Sequence, residues 1–261
     1  MIPLLAALAL GPQAHAEEPA IAYEKYELEN GLDVILAPDK STPIVYVTVW
    51  YHVGSKDEVE GLTGFAHLFE HLMFNGSVSV PDDYFKPLQE VGASINGSTS
   101  TDRTNYHQVL PARYLPLALF MESDRMGGLL PVLSQETLDN QREVVRNERR
   151  QRYENPPYGQ AYGDIMFNLY APGHPYHHIT IGSHEDLEAA KLQDVKEFFS
   201  SWYVPNNAAL VVAGDFDPIQ VRDLIQENFG PIPRGPDVQR PKFERTPLAK
   251  DKVIRQFQDV P

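Results

Sequence analysis

Two histidines and a glutamate fall within five residues in the stretch Gly64-Phe65-Ala66-His67-Leu68-Phe69-Glu70-His71-Leu72-Met73-Phe74. Read as a helix, the stretch puts His67 and His71 one turn apart, with Glu70 three residues after the first histidine, so all three side chains share one side. Two imidazoles so placed can each give a ring nitrogen to one zinc ion at roughly 2.0–2.1 Å, and a carboxylate beside them can handle a water without touching the metal. That is the layout of a zinc hydrolase. The competing reading is an apolar helix with satisfied core histidines, since Phe65, Leu68, Phe69, Leu72, Met73 and Phe74 surround them. It must bury three titratable groups in one apolar turn, which costs several kcal/mol unless something pairs them. A divalent cation pairs all three. The order HxxEH reverses the commoner HExxH zinc motif.

Composition narrows the ligand chemistry. The 261 residues include no cysteine, so any metal is held by nitrogen and oxygen and no disulfide framework exists. A formal net charge of −14 argues against a general nucleic-acid or anionic-membrane partner, while a basic peptide suits that field. With 42% hydrophobic residues the chain can bury a substantial core. Residues 1–16 hold the apolar run Leu4-Leu5-Ala6-Ala7-Leu8-Ala9-Leu10 and end in Ala14-His15-Ala16. This reads as a signal peptide, too short for a stable membrane anchor, and points to an exported, periplasmic or secreted protein; no Lys or Arg precedes the run, and a disordered or packed N-terminal arm is the alternative.

Further motifs extend the pattern. Gly54-Ser55 and Gly61-Leu62-Thr63-Gly64 precede the histidines, Asn75-Gly76-Ser77 follows them, and Asn96-Gly97-Ser98-Thr99 and Thr104-Asn105-Tyr106 come later. On these residues, from about Tyr26 to Phe229, the chain resembles the pitrilysin or insulinase family of zinc metallopeptidases, which includes the mitochondrial processing peptidases. The resemblance implies one zinc per chain with His67 and His71 as ligands and a third ligand on a later helix, where Glu148 falls; Glu143 is the runner-up. It implies that Glu70 is the catalytic base toward a zinc-bound water. Asn96, Gly97, Ser98, Thr99 and Tyr106 are then substrate-binding, the first four on an edge strand that takes an extended peptide; composition alone makes that segment a surface loop. Family members often carry a second acid two turns before the third ligand, and here that position is Gln141.

The elements that must position these residues follow from periodicity. A hairpin is expected over 23–38 with a turn at Asn30-Gly31, a central strand over 44–53 with both faces largely apolar, and a further strand over 105–110. Helices are expected from Pro111 to Met126, with Tyr114, Leu115, Leu117, Leu119 and Phe120 inward and a Gly127-Gly128 break after it. Another is expected from Ser134 to Arg152, on Leu138, Val144 and Val145; others cover 82–91, 158–169, 187–203 and 218–229, around a strand at 207–214. Thr63 is the expected cap of the histidine helix. His174, His177 and His178 form a second histidine cluster beside a proline and read as loop or packing residues. The fold class is α+β, a mixed, mostly antiparallel sheet packed by helices. Residues 17–232 form the expected zinc peptidase domain, and the proline-rich 233–261 a linker with the first strand, over 251–260, of a truncated second domain. The function expected is a zinc metalloendopeptidase acting on short or unfolded polypeptides, its chamber completed by a second homologous domain or subunit. The alternatives are a non-catalytic zinc-binding or partner-binding subunit and another zinc hydrolase such as an amidase.

Overall fold

The computed structural model describes residues 21–81, 83–240, 242–243, 251–255 and 257. The proposed signal peptide and the end of the expected last strand lie outside them, and the described residues of 251–257 form no strand. Six strands make one sheet: β1 (Glu24–Glu27), β2 (Asp33–Pro38), β3 (Ile44–Tyr51), β4 (Ser94–Thr99), β5 (Thr104–Pro111) and β6 (Ala208–Gly214), in the order β1-β2-β6-β3-β5-β4. Every neighbouring pair is antiparallel except β2 with β6. The α+β expectation holds.

Alternation decides which face is covered. In β3, Val45, Val47, Val49 and Tyr51 are fully buried against helices, while Ile44 and Trp50 on the other face are 46% and 43% exposed. The strand is central as its composition implies, and the helices cover one face of the sheet. Eight α-helices lie among the described residues: α1 (Phe65–Leu72), α2 (Phe85–Gln89), α3 (Leu115–Gly128), α4 (Gln135–Arg149), α5 (Ala161–Leu169), α6 (His184–Ala189), α7 (Leu192–Trp202) and α8 (Pro218–Phe229). Helix α1 packs on β4 and β5 and against α4 and α7, and α3 packs on β3, β5 and α8.

Several expectations change. Helix α3 runs through Gly127 and Gly128, and Phe120 points outward, 40% exposed. In α4 the buried stripe is Leu138 and Val145, with Val144 largely exposed. The helix expected over 187–203 is two helices parted at Ala190-Lys191, because Arg142 donates to the carbonyls of Leu187 and Ala190 and the Asp194 carboxylate accepts from the Lys191 amide. Beneath β5, Glu122 and Arg125 form a buried ion pair, each 1% exposed, with Gln108 Nε2 2.9 Å from Glu122 Oε1. The Arg125 guanidinium sits 4.0 Å from the Tyr106 ring centroid and 4.7 Å from that of Tyr84.

Candidate metal centre

Helix α1 is fixed by its apolar side. Phe69 packs among Phe198, Phe199 and Tyr203, with ring centroids 5.1–5.7 Å away, and each such buried side chain contributes roughly 1.5–3 kcal/mol. That anchoring turns His67, Glu70 and His71 to the opposite side, toward α4 and β4. The helix does not take Thr63 as its cap. Gly64 stands at the N-cap with φ 92°, a left-handed conformation open to glycine, and the Thr63 hydroxyl bonds to Asp186 instead.

Glu148 comes from α4. Ser134 caps that helix by accepting from the Thr137 amide at 3.1 Å, and Glu148 follows Leu138 and Val145 along the buried stripe at spacings of seven and three. Glu143 lies off the stripe, mostly exposed and paired with Arg146, so it is not part of the centre. His71 Nε2 stands 3.1 Å and His67 Nε2 3.7 Å from Glu148 Oε2, and the candidate ligand atoms of the three residues lie within 4.8 Å of one another. Two nitrogens and a carboxylate oxygen match the donor preference of zinc, and three protein ligands leave room for a fourth position. The group His174, His177 and His178 is absorbed elsewhere: His174 stacks on Tyr170, His177 Nδ1 meets the Tyr170 carbonyl, and His178 meets Ser55 and Glu58.

The electrostatics suit metal capture. Burial, reinforced by the neighbouring His71, lowers the His67 pKa from 6.5 to about 4, so its imidazole stays neutral and able to donate a lone pair. Its Nδ1 is buried with no hydrogen-bond partner among the described residues. Glu148 is held below the usual carboxylate range, the hydrogen bond from His71 outweighing burial, with His67 and Arg152 adding to it. Glu70 goes the other way: burial raises its pKa, only partly offset by the Thr99 hydroxyl, which donates to Glu70 Oε2 at 2.6 Å. A carboxylate raised in this way is a better proton acceptor.

The depressed His67 pKa has a stability consequence with a defined sign. The unfolded chain takes up this proton near 6.5 and the folded one near 4, so the stability linked to His67 is present above 6.5 and is lost as pH falls toward 4. We expect the melting temperature of the metal-free protein to fall less steeply over that window in His67→Leu than in wild type. Parallel slopes in a pH series of thermal melts would contradict it.

Strand β4 lies at one edge of the sheet and carries Asn96, Gly97, Ser98 and Thr99. Gly97 is needed for closeness, since a Cβ there would stand 2.9 Å from the Phe74 ring and 3.2 Å from Glu70 Cγ. Thr99 holds Glu70. Tyr106 departs from its expected substrate-binding role: it is fully buried, its ring over Arg125 and its hydroxyl 3.4 Å from the Phe69 carbonyl, so it supports the site from beneath.

Comparison with known proteins identifies the family. The family model described as Insulinase (Peptidase family M16) matches residues 33–162, which carry all three candidate ligands and Glu70, and the model described as Peptidase M16 inactive domain matches 189–261. The chain belongs to the M16 insulinase family. Among M16 relatives, zinc protease PqqE of Helicobacter pylori is 35% identical over 222 residues, covering 84% of this chain and 49% of the relative. The crystal structure of a protease from Helicobacter pylori superposes with a TM-score of 0.80 at 33% identity, covering 85% of this chain and 53% of that one. The periplasmic protease PqqL from Escherichia coli shares the fold, with a TM-score of 0.77 at 23% identity over 86% of this chain and 25% of that one. This chain thus spans about half the length of the first of these relatives and a quarter of PqqL.

In this M16 chain the position that often holds a second acid is put to structural use. Gln141 Nε2 donates to Asn75 Oδ1 at 3.2 Å, and Asn75 Nδ2 donates to the His71 carbonyl at 3.0 Å, linking α4 to the end of α1. Neither this link nor the Thr99 contact was legible in the sequence. Both join residues of ordinary surface type, and only the Gln141 position itself stood out.

Proposed function

We propose that this chain is the zinc-bearing half of a zinc-dependent metalloendopeptidase. The observation that carries the reading is the convergence of His67, His71 and Glu148 within 4.8 Å, with Glu70 held beside them by Thr99. Bound there, one zinc ion would polarise a substrate carbonyl and acidify a water. The protein's own part is proton handling and placement. Glu70, its pKa raised by burial, takes a proton from the attacking water and returns it to the leaving amine. An extended peptide adds along the edge strand β4, past Asn96, Gly97 and Ser98, through main-chain hydrogen bonds, which favours short or unfolded polypeptides over folded ones.

Residues 17–232 form the zinc domain in this reading, and 233–261 lead toward a second homologous half, on the same polypeptide or a partner, that completes the substrate chamber. The lengths of the relatives support that half. Export to the periplasm or beyond is proposed from the apolar run in residues 1–16; no helix of the described residues is long and apolar enough to cross a membrane.

Zinc content by elemental analysis tests the centre. Wild type should carry about one zinc per chain, and His71→Ala and Glu148→Gln should lose most of it, because two remaining protein ligands leave the ion short of the usual three. Wild type without zinc at micromolar supply would refute the assignment, as would full occupancy in both variants.

A further inference from the structure

Helix α1 begins without a capping side chain of its own, and a buried acid from the preceding loop does that work. Glu58 has a fully buried side chain; its Oε2 accepts from the Gly64 amide at 2.9 Å and its Oε1 from the Ala66 amide at 2.8 Å. Those are amides that a helix start leaves unpaired, and a carboxylate there also complements the helix dipole. His67, the first candidate ligand, is the next residue after Ala66. The carboxylate is in turn held by His178, whose Nε2 lies 3.0 Å from Glu58 Oε2 and 2.8 Å from the Ser55 carbonyl. Burial pulls the His178 pKa down, but the hydrogen bond and charge of Glu58 outweigh it and leave it raised, which suits an imidazole that donates to an acid.

The segment that carries His178 grips the second ligand helix as well. Past His178 it runs through Gly182, whose carbonyl accepts from Arg149 Nη1 at 2.9 Å, next to Glu148 on α4. Asp186 accepts from the Thr63 amide at 3.0 Å. Gly64 and Gly182 pack so closely that a Cβ on Gly64 would stand 3.1 Å from the Gly182 Cα. One loop therefore fixes the start of α1 and the end of α4 relative to each other.

We infer that Glu58 and His178 are positioning residues for the metal centre, setting the entry of α1 so that His67 and His71 meet Glu148. The inference rests on the proposed zinc reading, but its geometry concerns the protein alone. It gives His178 a role that its place in a proline-flanked histidine cluster did not suggest.

The test uses the full chain with Glu58→Ala, the near-isosteric Glu58→Gln, His178→Ala and His178→Gln. Outer-shell partners of metal ligands typically change affinity by roughly 10–100-fold, so Glu58→Ala should weaken zinc binding by about that factor in a chelator competition. His178→Ala should weaken it less, with His178→Gln restoring part of the loss because an amide can still donate to Glu58. Amide hydrogen exchange separates positioning from global loss of structure. Exchange at Gly64 and Ala66 should speed up in Glu58→Ala and partly in Glu58→Gln, while Leu210 and Val212 in the central strand stay protected. Unchanged exchange at Gly64 and Ala66 in both Glu58 variants would overturn the inference, as would uniform acceleration through the sheet. A wild type that takes up no zinc would sink the metal reading instead, and the exchange pattern would still decide the positioning.

Discussion

Glu70→Gln is expected to retain zinc at the wild-type level and to lose peptide hydrolysis by a factor of roughly 10²–10⁴, the usual contribution of a positioned general acid–base group. The substitution changes little except the proton. Glutamine fills the same volume on α1, and its amide oxygen can still accept the Thr99 hydroxyl that now bonds Glu70 at 2.6 Å. The three candidate ligands are His67, His71 and Glu148, and Glu70 is not among them. Metal content should therefore stay constant while kcat collapses and KM moves little, since a base acts in the transition state. Initial rates on an unstructured peptide, with the second half present, together with elemental analysis, make the measurement. Wild-type turnover in Glu70→Gln would remove Glu70 from the chemistry. Loss of zinc in the same variant would mean that it supports the ligands instead.

The second large effect is on stability. Arg125→Met should destabilise the fold by about 3–5 kcal/mol, because it strands the Glu122 carboxylate in a site that excludes water. Arg125 places two guanidinium nitrogens on Glu122 and lies against the rings of Tyr84, Tyr106 and Phe74. Burial works against the charge on Arg125, and Glu122 outweighs it and keeps the guanidinium protonated. A change of that size corresponds to roughly 10 °C in melting temperature for a chain of this length. Replacing both partners, as Glu122→Met with Arg125→Met, should recover much of the loss, since no unpaired charge then remains. Thermal melts of the two variants decide it: equal stability of Arg125→Met and wild type would show that the pair is not holding the core. Phe74 touches the position that a Gly97 side chain would fill, so the single variant should also loosen the edge beside Glu70.

The sequence disclosed the site in proportion to how local each part is. His67, Glu70 and His71 lie on one turn, and their convergence needs only helical geometry. Glu148 is 77 residues from His71, and no periodicity marks it apart from other acids on a charged helix. Resemblance placed it, and the stripe from Leu138 through Val145 now explains why it faces inward. The cap of α1 was misread because window rules look for a short polar side chain beside the helix. Here a glutamate six residues before Gly64 loops back, and a glycine occupies the cap position itself. The single helix expected across 187–203 failed for a similar reason. Nothing in Ala189-Ala190-Lys191 breaks a helix, and the break comes from Arg142 on α4 capturing two carbonyls. Strands were read better because a continuous run of β-branched and aromatic residues marks them locally, as in β3. The Gln108, Glu122 and Arg125 group had no reading at all: polar residues inside an apolar pattern look like surface until their partners are known.

The order of strands in the sheet carries a consequence for biosynthesis. Strand β6 lies between β2 and β3, pairing Val34 with Leu210 on one side and Val49 with Leu210 on the other. It is also the last strand in the described chain. While the polypeptide emerges from the ribosome, β2 and β3 each carry an unsatisfied edge until Ala208–Gly214 is made, by which time both histidines and Glu148 have long been synthesised. The sheet therefore closes between β2 and β3 only after every candidate ligand has been made, a long-range pairing of the kind that slows folding.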